Sequence, residues 1–418
     1  MARTGRRSFL KKGTALGVSM GVSGLAGCSQ ITGGGGGAIT LGAINPLSGP
    51  AAQFGEMGSE VQQAWAEKIN DNGGIEVDGE SREIEIVEYD DESSNSEARN
   101  AAERLATVDE VSAILSVWRS NGTIAVQDIV EENEVPTFTH GLTAEVNHPG
   151  ASIFRVQCST YMDALPTAQY VSNSDEIENI AVIAEEGDWG DDVLDFMNWW
   201  FRESDHEGDY QELGRFPFSQ QDFSSYITNI QNEYDQGNID AVYIHTWATA
   251  MQQFLIQQDR QGLNDTMPIL TGGGATEYID YEQVGDGLEN LVGQLVYARM
   301  NYRDSSAVDL ADSAVSMFDE YTSFDGLPRH PTAYIVYSEC KIIEEVLRNV
   351  GSAASGDIRE GLVGNTFDTL IGPMEMTDYG QPTIESLLVR FGQNTEIGDV
   401  LGESTLAPIT TLPPEQDI

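Results

Sequence analysis

The 418-residue chain is strongly acidic: 68 Asp and Glu against 21 Lys and Arg give a formal net charge of −47 at pH 7. Binding to nucleic-acid phosphates needs a basic face, which this composition excludes. The acids are spread along the whole chain, and their mutual repulsion is screened at molar salt, where the Debye length is roughly 3 Å. The composition therefore favours a halophilic, secreted protein over one with an acidic surface for a cationic ligand.

The N-terminus has the features of an export signal. Residues 6–11 have the twin-arginine form, and the apolar run that follows is shorter than the roughly 20 apolar residues that span a bilayer. That run ends in Leu-Ala-Gly before Cys28, which resembles a lipobox, whose cysteine becomes the lipidated first residue of the mature protein. We expect a twin-arginine lipoprotein signal over 1–27, a Gly-rich tether over 28–38 and a lipid anchor at Cys28 on the extracellular face of the cell membrane. Loss of the five basic residues of the signal takes the net charge from −47 to −52.

The first predicted unit of the mature chain is a strand, a loop and a helix. The apolar run 39–44 predicts a buried strand. Asn-Pro and then Ser-Gly-Pro over 45–50 end it, because proline cannot continue a ladder and glycine allows positive φ. The helix is predicted from an apolar stripe at spacings of three and four residues: Val61, Ala64, Trp65 and Ile69. The loop thus lies at the carboxyl end of a parallel strand, where α/β sheets bind ligands.

Strands and helices alternate along the rest of the chain, the pattern of doubly wound parallel sheets. Further strands are predicted at 82–89, 113–117, 135–139, 180–184, 241–244 and 268–270. Helices are predicted at 95–107, in a segment ending at 134, through 199–200, at 248–261 and at 333–350. A strand-rich tail begins at Gly372-Pro373. A second, similar series starts after about residue 158, so the pattern predicts two similar lobes.

Several short motifs occur in the order found in one known family. They are Leu-Ser-Gly-Pro-x-Ala-x-x-Gly at 47–55, Ile-Asn-x-x-Gly-Gly-Ile at 69–75, Val-x-Tyr-Asp-Asp at 87–91, Asp-Phe-Ser at 222–224, Asp-Ala-Val-Tyr at 240–243 and Gly-Pro at 372–373. Over residues 39–400 the chain resembles the leucine/isoleucine/valine-binding proteins, the type I solute receptors of ABC importers.

The resemblance implies an α/β fold of two doubly wound parallel-sheet lobes joined by a three-strand hinge. It assigns 39–158 and 297–370 to lobe 1, 159–296 and 371–405 to lobe 2, and 406–418 to a C-terminal coil. The implied mechanism is capture of a small amino acid by hinge closure, followed by delivery to membrane permease and ATPase subunits. It implies no cofactor, no metal and no chemistry on the ligand.

The resemblance also implies a set of ligand-binding residues. Ser120, Gly141 and Thr143 match positions that bind an α-carboxylate through hydroxyl and backbone N–H groups; ordinary helix and turn capping is the alternative for the two hydroxyls. Trp189 and Trp247 match tyrosines that close over the ligand, and lobe core is their alternative. The opening loop adds Phe54, and Tyr161, just past the first hinge crossing, is a weaker candidate.

One position departs from the family pattern. The glutamate that holds the ligand's ammonium in branched-chain receptors is matched here by Gly273, although Glu277 lies nearby in the sequence. An unpaired buried ammonium would cost several kcal/mol. The alternatives to an amino acid are therefore an amide, urea or a small organic carboxylate, which Arg119 could also reach.

Two other classes of function are open to the sequence. The five histidines show no metal-protease spacing and no Gly-x-Ser-x-Gly segment occurs, so an enzyme is disfavoured even though His140 and His245 fall in cleft loops. A sensor ectodomain would need a signalling segment after the lobes, where residues 410–414 predict only coil. Cys158 and Cys340 could form a disulfide, but two buried free thiols are the simpler interpretation.

Overall fold

In the computed structural model, the chain up to Arg155 alternates strands and helices. Its elements are β1 (Ile39–Asn45), α1 (Ala52–Asp71), β2 (Ile75–Val77), β3 (Glu80–Arg82), β4 (Ile84–Asp90), α2 (Asn95–Thr107), β5 (Ile114–Val117), α3 (Ser120–Glu132), β6 (Thr137–Thr139) and β7 (Ile153–Arg155). Five strands form a parallel sheet in the order β4-β1-β5-β6-β7, and β2 pairs with β3 as a hairpin. All five carboxyl ends therefore meet at one edge, the edge at which parallel sheets bind ligands.

The structure describes most of the mature chain, with gaps. The described residues are 37–203, 208–262, 267–272, 281–288, 291–295, 308–324, 331–391 and 397–406. The predicted signal, Cys28, Gly273, Glu277 and the coil after 406 lie outside them.

The middle of the chain builds a second sheet. Its elements are α4 (Thr160–Ser172), β8 (Ile180–Glu185), α5 (Asp188–Glu203), β9 (Tyr210–Phe216), α6 (Ser224–Asp235), β10 (Ala241–His245), α7 (Ala248–Gln261), β11 (Ile269–Thr271), α8 (Tyr281–Val284) and β12 (Leu291–Leu295). The strands β12-β11-β10-β8-β9 are neighbours in that order and parallel. This sheet too has its carboxyl ends at one edge.

The last third of the chain adds helices to the layers of the first sheet and strands to the second sheet. Its elements are α9 (Val308–Tyr321), α10 (Pro331–Val350), α11 (Ser355–Leu362), β13 (Thr366–Thr369), β14 (Gly372–Glu375), β15 (Ile384–Phe391) and β16 (Ile397–Leu406). Helices α9 and α10 pack against α1, whereas β15 and β16 extend the second sheet with antiparallel pairing. The chain thus passes between the layers of the two sheets after β7, after β12 and after β14.

Apolar side chains cover both faces of each sheet, as expected for doubly wound sheets with helices on both sides. On the first sheet, one cluster centres on Trp65 and α10, and the other on Leu105 and Val130. On the second sheet, one cluster contains Phe254 and the other Phe196. Each such side chain contributes about 1.5–3 kcal/mol to folding when fully buried, so both sheets have cores of their own.

The fold class predicted from the sequence is confirmed. The predicted stripe of α1 is buried at all four positions, and α2 and α7 have the predicted bounds. The sequence analysis did not find β7, which has three residues, or β9, whose residues are mostly half-exposed and do not alternate clearly. Cys158 and Cys340 are buried free thiols, as in the simpler of the two interpretations.

The first turn of α5, which follows β8, requires glycine at one position. A Cβ atom on Gly190 would lie 1.7 Å from the backbone oxygen of Glu185, so alanine there forces the turn to move. We expect Gly190→Ala to lower the free energy of unfolding by about 1–3 kcal/mol, the usual cost of overpacking. Chemical denaturation in molar salt measures this loss. Gly356→Ala is the control, because a Cβ atom there meets nothing within 4 Å and should cost nothing; equal losses in both variants would contradict the prediction.

Candidate functional site

A pocket lies where the carboxyl ends of β5, β6, β8 and β10 meet. It encloses about 180 Å³, which suits a ligand smaller than a drug-sized molecule. From the first sheet it is lined by Asn95, Trp118, Arg119, Ser120, Asn121, His140, Gly141 and Leu142. From the second sheet it is lined by Glu185, Glu186, Trp189, Phe218 and Trp247. Side chains from both sheets therefore surround one small space.

A row of aromatic rings joins the two sides of the pocket. Trp247 stacks on Phe54 with ring centroids 5.3 Å apart, and Phe54 stacks on Trp118 at 6.0 Å. Trp189 meets Trp247 edge-on at 5.8 Å. Phe54 and Trp118 belong to the layers of the first sheet, and Trp189 and Trp247 to those of the second. The stacking of Trp247 on Phe54 therefore brings the two sets of layers into contact.

Ser120 organises the first-sheet wall. Its Oγ accepts hydrogen bonds from the backbone N–H groups of Leu142 (3.1 Å) and Thr143 (3.2 Å). The N–H of Gly141 donates to Oγ1 of Thr139 at 2.9 Å. These loop N–H groups are thus bonded within the protein, and the Ser120 hydroxyl keeps its proton to donate to a ligand.

Arg155 is hydrogen-bonded to the same loop, residues 141–143. The side chain is fully buried, and its Nε donates to the backbone oxygen of Gly141 at 2.7 Å. Its two other nitrogens donate to the backbone oxygen of Thr143 and to the side chains of Asn147 and Gln381. Burial lowers the pKa of Arg155 to about 10, so the guanidinium remains charged at neutral pH. The Arg155 guanidinium therefore fixes the backbone of residues 141–143, which we call the pocket floor.

Three predicted site residues lie outside the pocket lining. The Thr143 hydroxyl bonds to Asp192 of α5, whose Oδ2 also accepts the N–H of Ala144 at 3.0 Å. Burial raises the pKa of Asp192 to about 6. Tyr161 stacks on Phe196, with ring centroids 5.7 Å apart, in the second sheet's core. Phe54 reaches the site as the ring behind Trp247, and Gly273 is outside the described residues.

A buried polar network supports the pocket beneath His140. The His140 Nε2 lies 2.9 Å from Oε1 of Glu339, and neither side chain is more than 2% exposed. Ser116 Oγ donates to the second Glu339 oxygen at 2.7 Å and accepts from Gln62 Nε2 at 2.7 Å. Trp118 packs over the imidazole, with ring centroids 4.1 Å apart. The ring nitrogen Nδ1 of His140 has no partner among the described residues and is the one available to a ligand.

Two ionisable side chains of opposite sign also line the pocket. Glu185, the last residue of β8, is only 7% exposed. Its Oε2 accepts from Thr246 Oγ1 at 3.3 Å, and the Trp247 N–H also donates to the carboxylate. Across the pocket, Arg119 donates from Nη2 to Asn95 at 2.8 Å, while its buried Nε has no partner among the described residues. The sequence analysis missed Glu185, although a carboxylate at the end of an apolar strand is a signal that could have found it.

Comparisons with known proteins decide the family. A sequence model described as periplasmic binding protein matches residues 38–395. The chain belongs to the periplasmic binding protein family. Members of this family are substrate-binding receptors of ABC transporters, so the chain is a binding protein and not an enzyme.

Individual relatives of this periplasmic binding protein agree. The leucine-specific-binding protein of Salmonella typhimurium is 25% identical over 356 residues, covering 82% of this chain and 87% of that protein. The Leu/Ile/Val-binding protein of Escherichia coli is 23% identical over 351 residues, with the same coverages. The predicted resemblance to the leucine/isoleucine/valine-binding proteins is confirmed.

Solved structures share the fold. A leucine binding protein from Thermotoga maritima has a TM-score of 0.71 at 21% identity, covering 88% of this chain and 99% of the other. A solute binding protein from R. palustris in complex with benzoate has a TM-score of 0.73 at 16% identity, covering 89% and 98%. At these identities the likeness shows the architecture and leaves the ligand open.

Two features are absent from the described part of this binding protein. Among the described residues, no group of three or more His, Cys, Asp or Glu side chains could hold a metal ion. In that same part of the chain, no helix combines the length and apolar character needed to cross a membrane.

Removing the Ser120 hydroxyl should affect both folding and binding. Ser120→Ala leaves the N–H groups of Leu142 and Thr143 without their acceptor, and a buried unsatisfied group costs about 1–3 kcal/mol. We expect a folded variant, destabilised by that amount, with weaker affinity for its ligand. Urea titration and calorimetric titration measure the two effects. Ser352→Ala is the control, because the Ser352 hydroxyl accepts the N–H of Ala354 in an exposed hydrogen bond. Unchanged stability of the Ser120 variant would show that its two bonds contribute nothing.

Proposed function

We propose that this protein is the extracellular receptor of an ABC importer, which captures a small amino acid of the branched-chain type and delivers it to a membrane permease. The observation that carries the proposal is the small pocket lined from both sheets, with the stacked rings of Phe54 and Trp247 closing it. An apolar side chain of the ligand would pack against Trp189 and Trp247, while its polar end meets Arg119 and Ser120.

Binding is coupled to closure of two lobes. We assign 39–158 and 297–370 to lobe 1 and 159–296 and 371–405 to lobe 2, following the two sheets and the three chain passages between them. The ligand docks on one lobe and stabilises the closed form only through contacts made by both. Trp189 and Trp247 are the second-lobe groups that make those contacts and exclude water.

The remaining predicted residues receive supporting roles. Gly141 lines the pocket and is proposed to contact the ligand there; a larger residue does not fit, because a Cβ atom would lie 2.4 Å from Thr123 Oγ1. Thr143 acts through Asp192, which links the pocket loop to α5. Phe54 and Tyr161 support Trp247 and the lobe 2 core, and Gly273 leaves the family's usual ammonium position without a side chain.

The proposed place of action is outside the cell. The twin-arginine signal exports the folded chain, and the lipidated Cys28 holds it at the extracellular face of the membrane. Because one acyl chain binds a bilayer with an affinity on the order of 10⁴ M⁻¹, contacts with the permease contribute to retention. ATPase subunits inside the cell supply the energy for import.

A small aromatic carboxylate is the second candidate ligand. Three tryptophan rings line the pocket, and Arg119 can hold a carboxylate. One of the structural neighbours is a complex with benzoate. This candidate needs no partner for an ammonium group. It is one of the small organic carboxylates, which are alternatives to an amino acid together with amides and urea.

A thermal-shift screen in molar salt separates these candidates. The probes are the twenty amino acids, their amides, urea, benzoate and short-chain organic acids. We expect branched-chain amino acids to raise the midpoint of unfolding most, because a ligand bound to the folded state adds RT ln(1 + [L]/Kd) to its stability. Calorimetric titration and recovery of the unchanged ligand would follow. A shift with none of these probes would contradict the proposed function.

A further inference from the structure

The most unusual group of the pocket is the Glu185 carboxyl. It lines the cavity, is 7% exposed, and comes from the second sheet, opposite the Ser120 wall. A carboxylate offers about four acceptor positions. Thr246 and the Trp247 N–H occupy two of them. None of the ion pairs within the described residues involves Glu185.

Burial of such a carboxyl without a cation is costly. Desolvation raises the pKa of Glu185 to about 7, and its two hydrogen bonds only partly offset that rise. An ionised carboxylate in this place is stabilised by a positive group brought into the cavity. The protein's own nearest contribution is the field of Arg119, which favours the ionised form from across the pocket.

Arg119 and Glu185 form two poles on opposite walls. No ion pair within the described residues joins them; Arg119 follows β5 of the first sheet, and Glu185 ends β8 of the second. The Arg119 Nε is buried without a partner among the described residues. A molecule with a negative and a positive group on neighbouring atoms, and an apolar side chain for the tryptophans, matches this distribution of charge.

We propose that Glu185 accepts the ammonium group of an α-amino acid whose carboxylate is held by Arg119 and Ser120. The receptor therefore selects zwitterions, with the ammonium partner supplied from the end of β8 in place of a side chain at residue 273. This inference rests on the proposed function, and it narrows the ligand class to amino acids against simple carboxylates, amides and urea.

The test compares L-leucine with 4-methylpentanoate, which is the same molecule without the amine. Calorimetric titrations in molar salt use the wild type, Glu185→Gln and the control Glu176→Gln, which removes an exposed charge elsewhere. We expect the wild type and the control to bind L-leucine alike. Glu185→Gln should lose at least about 30-fold in affinity for L-leucine, as expected when one partner of a buried charge pair is removed. Its affinity for 4-methylpentanoate should stay within about threefold of the wild type.

Different failures have different meanings. Equal L-leucine affinity in the wild type and Glu185→Gln would overturn the inference and leave the proposed function intact. Equal losses for both probes would also overturn it, because Glu185 would then only support the fold. If neither probe, nor any other in the thermal-shift screen, bound the wild type, that result would contradict the proposed function itself.

A measurement on the wild type alone covers the case in which Glu185→Gln does not fold. The unaltered protein should bind L-leucine at least about 30-fold more tightly than 4-methylpentanoate, because only the amino acid satisfies the buried carboxylate. Equal affinities for the two probes would overturn the inference without any variant.

Discussion

Arg155→Met is expected to destabilise the protein by about 3–5 kcal/mol. Methionine fills the space but donates nothing, so the backbone oxygens of Gly141 and Thr143 lose their donor in a buried place. Asn147 and Gln381 lose theirs as well. Each unsatisfied buried acceptor costs about 1–3 kcal/mol, and relief of the guanidinium's own desolvation offsets part of the sum. Urea denaturation in molar salt measures the loss.

The control for this substitution is Arg99→Met. Arg99 is exposed and donates one hydrogen bond to the backbone oxygen of Ala125, so its loss should change the free energy of unfolding by less than about 0.5 kcal/mol. If Arg155→Met cost no more than Arg99→Met, burying the guanidinium would cost as much as its bonds contribute. The account of how the pocket floor is fixed would then be wrong.

Trp247→Ala should lower the affinity for the ligand by at least about 30-fold. The ring forms one side of the pocket, stacks on Phe54 and meets Trp189. Removing it opens the pocket to water and takes away the main contact that the second sheet makes with the first at this point. Central aromatic side chains of this kind contribute about 2 kcal/mol or more to binding, and 1.4 kcal/mol is tenfold. Calorimetric titration with the best ligand of the screen measures the change.

Trp199→Ala is the matched control for the second prediction. Trp199 is also half-buried, but it packs on Phe196 and Trp200, away from the pocket. That variant should lose stability and keep its affinity. The opposite pattern, with Trp199 affecting affinity and Trp247 having no effect, would show that the pocket described here does not hold the ligand.

Much of the fold could be predicted because its signals are local. The apolar stripe of α1 and the alanine face of α2 each repeat at helical spacing, and the buried strands are short apolar runs. The edge strand β9 was not predicted, because its side chains are mostly half-exposed and apolar and polar residues do not alternate clearly along it. The three-residue β7 is too short to give a pattern at all.

Part of the candidate site could be predicted, because the residues concerned lie next to strand ends that the sequence itself indicates. Ser120, Gly141, Trp189 and Trp247 follow strand ends, so the rule for parallel sheets places them at one edge, where the pocket lies. Glu185 and Arg155 gain their roles only by burial against residues far away in the chain, such as Thr246 and Gln381. Thr143 was expected to face the ligand, but its hydroxyl is bonded to Asp192, which no spacing in the sequence indicates.

The central claim is that a small solute binds intact between the two sheets, and a crystal structure of the ligand-saturated protein tests it most directly. Crystals would be grown in molar salt with the amino acid that calorimetry shows to bind with one site per chain. The account predicts density for one unaltered molecule between Ser120 and Trp247, with its amine beside Glu185 and its carboxylate beside Arg119. Density for the ligand elsewhere on the protein, with the pocket occupied only by water, would contradict it.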